Sequence, residues 1–179
     1  QEEPNGLGHA ILQAKDYVDD EFFGVILADD LLVNKIGCLS QLLNIHHESN
    51  SSVLGVFTAD PKKISNYGVI DGALDGNSYK LNNIVEKPKC AEAPSHLAVF
   101  GRYILSKEIF NHVENTNPGV NGEIQLTDAI KCLIEKDAVR AFEIMGKRFD
   151  CGSKEGYISA IIDRSLSIEK YKDVLKNID

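Results

Sequence analysis

The chain has 179 residues, 43% hydrophobic and 26% charged, and a formal net charge of −8. That length and balance fit one sizeable globular domain of ordinary soluble composition. The acidic excess argues against nucleic acid or an anionic membrane as the main partner, and no apolar run is long enough to cross a bilayer.

The chain opens on Gln1-Glu2-Glu3-Pro4, with neither a Met nor the pattern of a signal peptide, so the numbering is expected to begin inside a longer protein. Pro4-Asn5-Gly6-Leu7-Gly8 reads as a turn-rich loop. Ala10, Ile11, Ala14 and Val18 then recur at helical spacing, which predicts a helix over about 7–18. Glycines at such a helix start let another group approach the backbone closely.

Residues 22–27 run apolar or small without alternation and lead into Asp29-Asp30. The run predicts a strand buried on both faces, as in a parallel sheet flanked by helices. Unpaired carboxylates cannot stay in that core, so both aspartates are expected where the strand emerges. Ligands bind outside the carboxyl ends of strands in open α/β sheets, and an acidic pair there suits magnesium held partly by phosphate oxygens. The plainer alternative has Asp29 solvated and Asp30 opening a loop or capping a helix.

Ile36, Leu39, Leu42, Leu43 and His46 form a helical stripe. The neighbouring His46 and His47 point about 100° apart on a helix and so cannot easily share a metal; surface histidines are expected. Residues 52–57 predict a second buried strand, broken by Asp60-Pro61-Lys62-Lys63. Residues 67–85 predict a hairpin turning at Asp75-Gly76-Asn77 and ending at Glu86-Lys87-Pro88.

A long strand is expected over 96–105, followed by a short helix capped by Ser106 and carrying Ile109, Phe110 and Val113. After the Asn117-Pro118-Gly119 loop come a helix marked by Ile130, Leu133 and Ile134, a strand over 141–145, the turn Asp150-Cys151-Gly152-Ser153 and a helix from Gly156. A packing helix over 168–178 bears Tyr171, Val174 and Leu175. Strands and helices interleave throughout, giving an α/β fold on a mostly parallel mixed sheet with a β-hairpin insertion. The four cysteines, at 38, 90, 132 and 151, match no zinc spacing, so free thiols in a reducing cytoplasm are expected.

Three stretches can meet at one sheet edge: Asp29-Asp30, Glu86-Lys87-Pro88 and Asp150-Cys151-Gly152. The two oxygens of Glu86 suit a pair of sugar hydroxyls, and Lys87 would set a point charge on a phosphate. Together with residues 1–10, Ile26-Leu27-Ala28-Asp29, Tyr67-Gly68-Val69, Val85-Glu86-Lys87-Pro88, Gly101-Arg102-Tyr103 and residues 122–129, these stretches resemble the bacterial UTP–glucose-1-phosphate uridylyltransferases in order and spacing.

The resemblance implies a Rossmann-like nucleotidyltransferase core, a single domain over 1–179. The implied enzyme joins UTP and glucose 1-phosphate into UDP-glucose and pyrophosphate with magnesium; a sheet edge left open by absent strands would favour a homo-oligomer. Gln1 and Gly6 would contact the uracil. Asp29 would bind the metal, joined by Asp150. Gly68 would offer its backbone to the sugar, Glu86 would hold sugar hydroxyls, and Lys87 would meet phosphate. Glu123, Gln125 and Asp128 match a signature near the sugar pocket, with a capped helix start as the alternative.

The family's opening strand, its Gly-x-Gly-Thr-Arg triphosphate loop and its Lys-Glu-Met-Leu-Pro segment are absent, and Ala28 stands where the family usually has proline. The chain thus resembles roughly the C-terminal 60% of such an enzyme, judged by usual domain sizes. It is expected to be catalytically silent by itself. Two other readings compete: a metal-dependent glycosyltransferase, whose Asp-x-Asp spacing the adjacent Asp29-Asp30 lack, and a non-catalytic sugar-nucleotide-binding module.

Overall fold

The computed structural model describes residues 1–119 and 122–176, with side-chain burial described as far as Lys172. Its centre is β3 (Ser52–Thr58), whose first five residues are all buried, as the unbroken apolar run predicted. It lies antiparallel to the long β6 (Leu97–Ser106) and parallel to β7 (Val139–Glu143). The sheet has six strands in the order β1-β6-β3-β7-β5-β4, with β1 at Phe22–Ile26, β4 at Gly68–Asp75 and β5 at Ser78–Glu86.

Helices cover both faces. The α1 (Leu7–Leu12), α3 (Glu108–Glu114) and α4 (Leu126–Lys136) helices share a core with Leu54, Val56, Ile70, Tyr103, Leu105 and Ala141. On the other face α2 (Cys38–Ser49) packs Leu42 and Ile45 on Val53 and Ile104. Alternation along β3 and β6 divides the two layers: Leu54, Tyr103 and Leu105 face one way, Val53 and Ile104 the other.

The hairpin forms as expected, with Asp75 opposite Ser78 and Gly76 in the left-handed region at φ 66°. Ser106 Oγ accepts from the Glu108 N–H at the start of α3. The predicted helix over 7–18 is α1 followed by a 3₁₀ turn at Lys15–Tyr17. The helix expected from Gly156 begins earlier, as α5 (Lys154–Ser167), capped by Ser153. The tail helix is α6 (Glu169–Lys176); the side chains of Val174 and Leu175 lie outside the described residues.

Three expectations are corrected. The sheet is mixed, but among the described residues only β3 and β7 run parallel; the other pairings are antiparallel, so it is not mostly parallel. The strand at 22–27 is not buried on both faces. Among the described residues β1 pairs with β6 alone, Ile26 is 59% exposed, and the apolar run instead stacks Phe23 on Phe110 and sets Phe22 against His46. The α2 stripe is also shifted: Ile36 precedes the helix and Leu43 is exposed, while Cys38 and Gln41 are buried. Gln41 holds that position because its amide is satisfied by the Ile36 and Met145 carbonyls and the Met145 N–H.

One element has no counterpart in the sequence reading. β2 (Asp30–Val33) and β8 (Lys147–Asp150) form a separate antiparallel ribbon with Asp30 directly opposite Asp150.

Because Leu54 is fully enclosed at the centre of the sheet, Leu54→Ala should lower unfolding free energy by about 2–5 kcal/mol. Urea denaturation measures the shift in midpoint.

Candidate active site

The site lies where β6 loses its neighbour. Residues 102–106 of β6 pair with β1, and Ala98 touches β4 at Val69. Between them the chain leaving β1 turns away through Leu27–Asp29, tied back by the Leu27 N–H to the Gly101 carbonyl (2.9 Å). A cleft of about 380 Å³ opens at this split, within the usual size for small-molecule sites. Asp29, Asp30, Gly68, Glu86, Lys87, Glu123, Gln125 and Asp150 are among its lining residues, with Tyr67, Thr127 and Arg148.

The two adjacent aspartates have opposite surroundings. Asp29 is exposed, whereas Asp30 is buried and opens β2 rather than a loop or helix. Its Oδ1 accepts from Arg148 Nε (2.8 Å) and pairs with Nη2 (2.6 Å), and its Oδ2 accepts from the Gly101 N–H (2.9 Å). A Cβ at Gly101 would sit 2.9 Å from Oδ2 and 2.7 Å from Leu27, so only glycine admits the carboxylate. Arg102 donates to the carbonyls of Leu27, Gly101 and Asp30.

The Arg148 guanidinium lies 4.1 Å from the Phe57 ring centre and 5.1 Å from that of Tyr67. Burial lowers its pKa, but the hydrogen bond with Tyr67 and the Asp30 charge outweigh this and move it upward, so it stays a cation. The nearby Cys38 thiol is pushed up to about 12, chiefly by burial, and does not act as a thiolate nucleophile.

Asp150 stands across the ribbon from Asp30. Its Oδ1 accepts from the Gly152 N–H (3.2 Å) and its Oδ2 from the Tyr67 hydroxyl (3.3 Å). Asp29 and Asp150 border one small space: a Cβ at Gly152 would meet Asp29 Oδ2 at 3.1 Å and Asp150 Oδ1 at 3.3 Å. Among the described residues no three His, Cys, Asp or Glu side chains cluster to hold a metal. Two carboxylates nevertheless fit magnesium, which takes one or two of them and completes its shell with water and phosphate oxygens.

Across the cleft, Glu86 Oε2 accepts from the Thr127 hydroxyl (2.5 Å), and Lys87 Nζ is 3.7 Å from Glu86 Oε1. Lys87 itself has φ 43°, a left-handed backbone that costs roughly 1–2 kcal/mol in a residue with a Cβ. Gly68 pairs with Glu86 in the hairpin, and a Cβ there would lie 3.3 Å from the Glu86 carboxylate.

Three predicted site residues are not among those lining the cleft. Gln1 folds back on its own loop, donating to the Gly6 carbonyl (3.0 Å) and contacting His9. Gly6, at φ 95°, admits the chain rather than showing an open face: a Cβ would strike the Ile124 carbonyl at 2.7 Å. Asp128 is exposed in the first turn of α4. Gln125 makes no side-chain cap there and instead donates to Glu123 (2.9 Å).

Sequence reasoning assigned no role to Arg148, Thr127 or the Tyr67 hydroxyl. Tyr67 and Thr127 lie inside stretches already singled out, but Arg148 had no local signal. A pairing requirement for one of the two aspartates was the only pointer to it.

A family model described as nucleotidyl transferase matches residues 1–165, and the chain belongs to that family. A UTP–glucose-1-phosphate uridylyltransferase of Pseudomonas aeruginosa is 45% identical over 163 residues, 89% of this chain and 58% of the relative. One from Bacillus subtilis is 40% identical over 176 residues, 98% of this chain and 60% of the relative. The chain thus spans about 60% of the length of these curated relatives. Among solved structures, a UDP-glucose pyrophosphorylase in complex with UDP-glucose superposes with TM-score 0.88 at 40% identity, over 93% of this chain and 64% of that one. The UTP-bound enzyme of Acinetobacter baumannii superposes with TM-score 0.85 at 35% identity, over 99% and 64%. The fold is the Rossmann-like α/β nucleotidyltransferase fold.

Asp30→Asn keeps the shape at the Arg148 pair but removes the charge. With both side chains mostly enclosed (12% and 17% exposed), it should cost about 3–5 kcal/mol in denaturant unfolding. Asp75→Asn at the Arg140 pair, where Asp75 is 64% exposed, should cost less than about 1 kcal/mol.

Proposed function

We propose that this chain carries the sugar and metal side of an enzyme that makes UDP-glucose and pyrophosphate from UTP and glucose 1-phosphate. The observation that carries the reading is the meeting of Asp29 and Asp150 beside Gly152, in the same cleft as Glu86 and Lys87. In the reaction a phosphate oxygen of glucose 1-phosphate bonds to the α-phosphorus of UTP, and the bond from that phosphorus to the bridging oxygen breaks, releasing pyrophosphate. Asp29 and Asp150 would hold magnesium, which when bound neutralises charge on the reacting phosphates.

The chain's own residues do the positioning. Glu86, held by Thr127, keeps Oε1 and its remaining lone pairs for sugar hydroxyls. Gly68 leaves room for the sugar beside that carboxylate, and Lys87 places a cation on phosphate. Glu123 and Gln125 form the adjoining wall, and Gln1 and Gly6 lie on the loop assigned to the uracil. Family membership favours this over the glycosyltransferase reading, and turnover separates it from a non-catalytic binding module. The proposed compartment is the cytoplasm, where thiols such as the four free cysteines persist.

Two substitutions in the full-length protein test the roles. Asp29→Asn should lower kcat at least roughly 10²- to 10³-fold with the fold intact, as expected when an electrostatic clamp on transferring phosphate is lost. Turnover within a few-fold of wild type would remove Asp29 from the metal site. Glu86→Gln weakens a charge-assisted hydrogen bond by about 1–2 kcal/mol, so glucose 1-phosphate should bind roughly tenfold more weakly with UTP affinity little changed. An equal loss for both substrates, measured by calorimetry, would take Glu86 out of the sugar pocket.

A further inference from the structure

Asp150 is the carboxylate of the Asp29–Asp150 pair that a distant part of the chain takes hold of. It sits at the end of a four-residue strand, next to a turn, and is only half-buried. Two groups fix its side chain: the Gly152 N–H on Oδ1 and the Tyr67 hydroxyl on Oδ2. Tyr67 comes from a distant element, just ahead of β4, and its ring is set edge-on to Phe57 with centroids 5.2 Å apart. The Arg148 guanidinium lies over that same pair of rings and reaches the Tyr67 oxygen from Nη1 at 3.5 Å. Arg148 is in turn locked by its two contacts to Asp30. A continuous polar chain therefore runs Asp30–Arg148–Tyr67–Asp150 and joins the buried aspartate to the metal-side carboxylate.

The hydroxyl has one proton to give. Arg148 has no acceptor, so where the guanidinium meets the Tyr67 oxygen it can only donate, and the phenolic proton is left for Asp150. That arrangement turns Oδ2 toward Tyr67 and leaves Oδ1 beside Gly152, facing Asp29.

We propose that Tyr67, oriented by Arg148, is a positioning residue for the metal site: its hydroxyl holds the Asp150 carboxylate so that Oδ1 stays opposed to Asp29. The proposal rests on the magnesium reading of Asp29 and Asp150. Removal of a partner that orients a metal-ligating group typically weakens metal binding by roughly 10- to 100-fold.

The test measures manganese binding to the full-length protein by electron paramagnetic resonance, alongside the urea midpoint. Tyr67→Phe keeps the ring and loses only the hydroxyl, and should raise the Mn²⁺ Kd about tenfold with the midpoint near wild type. Arg148→Lys keeps a cation on Asp30 but loses the planar fork, and should shift Kd in the same direction; it serves as the second variant. Asp29→Asn is the reference for loss of the site. If Asp29→Asn abolishes Mn²⁺ binding while Tyr67→Phe binds like wild type, the positioning role is overturned and the metal reading stands. A Tyr67→Phe variant that is destabilised yet binds Mn²⁺ normally also overturns it, since Tyr67 is then a packing residue. Unchanged Mn²⁺ binding in Asp29→Asn would overturn the metal reading and this inference together.

Discussion

A single buried carboxylate, Asp30, organises the site. Enclosing a charged aspartate costs several kcal/mol unless it is paired and hydrogen-bonded, and two parts of the chain, β6 and β8, meet that demand. Gly101 of β6 supplies a backbone N–H, Arg148 of β8 supplies the charge, and Arg102 ties down the Asp30 carbonyl. The partners lie 71 to 118 residues away along the chain. Satisfying one carboxylate therefore closes long loops, seats the β2–β8 ribbon on the sheet and fixes the turn through Leu27–Asp29. Even the missing Cβ of Gly101 belongs to this arrangement, since any other residue would displace Oδ2. Aromatic packing completes it, because Phe57 and Tyr67 give the guanidinium planar faces that a lysine could not use as well.

Much of this fold could be read from the residues, and the parts that could not share a cause. The unbroken apolar run at 52–57 predicted the doubly buried β3, and Gly76 with its neighbours predicted the hairpin, because burial and turn chemistry are written locally. Strand direction is not local: the same run at 22–27 serves an antiparallel strand with one neighbour as well as a parallel one with two. The ribbon was harder still. Asp30–Val33 and Lys147–Asp150 are four residues each and do not alternate apolar with polar, so neither means anything until the two are side by side. Gly6 gave a local signal with two readings. Its freedom serves close packing on Ile124, which no reading of residues 4–8 alone could separate from an opening for a ligand.

The cleft has an electrostatic problem that its proposed function must solve. Asp29, Asp30, Glu86, Glu123 and Asp150 line it, against Lys87 and Arg148. Arg148 is paired with Asp30, and Lys87 is near Glu86. A phosphate entering this space meets uncompensated carboxylates on a protein of net charge −8. A divalent cation on Asp29 and Asp150 would cancel their two charges and offer a metal centre where phosphate would arrive, while the Glu86 oxygens would be left as acceptors where hydroxyls would bind. Such a division would set acceptors toward a sugar and a metal cation toward phosphates, the polarity that a sugar phosphate requires.

The contrast between two neighbouring aspartates follows from chain geometry. Backbone entering a strand sends successive side chains to opposite sides. Once Asp30 at the start of β2 is drawn inward by Arg148 and Gly101, Asp29 is left facing out, at the cleft, with its carbonyl taken by the Cys151 N–H (2.7 Å). That last bond matters, because it docks the turn bearing Asp29 on the turn that follows Asp150. The two carboxylates then share one wall rather than lying on separate loops, with Gly152 between them leaving the space open. Asp30 could thus be absent from every step of the chemistry and still determine it. Its ion pair sets β2 on β8, β2 on β8 sets Asp29 beside Asp150, and the proposed cation would take that pair, with Asp150 oriented by Tyr67, and the ligand's own oxygens.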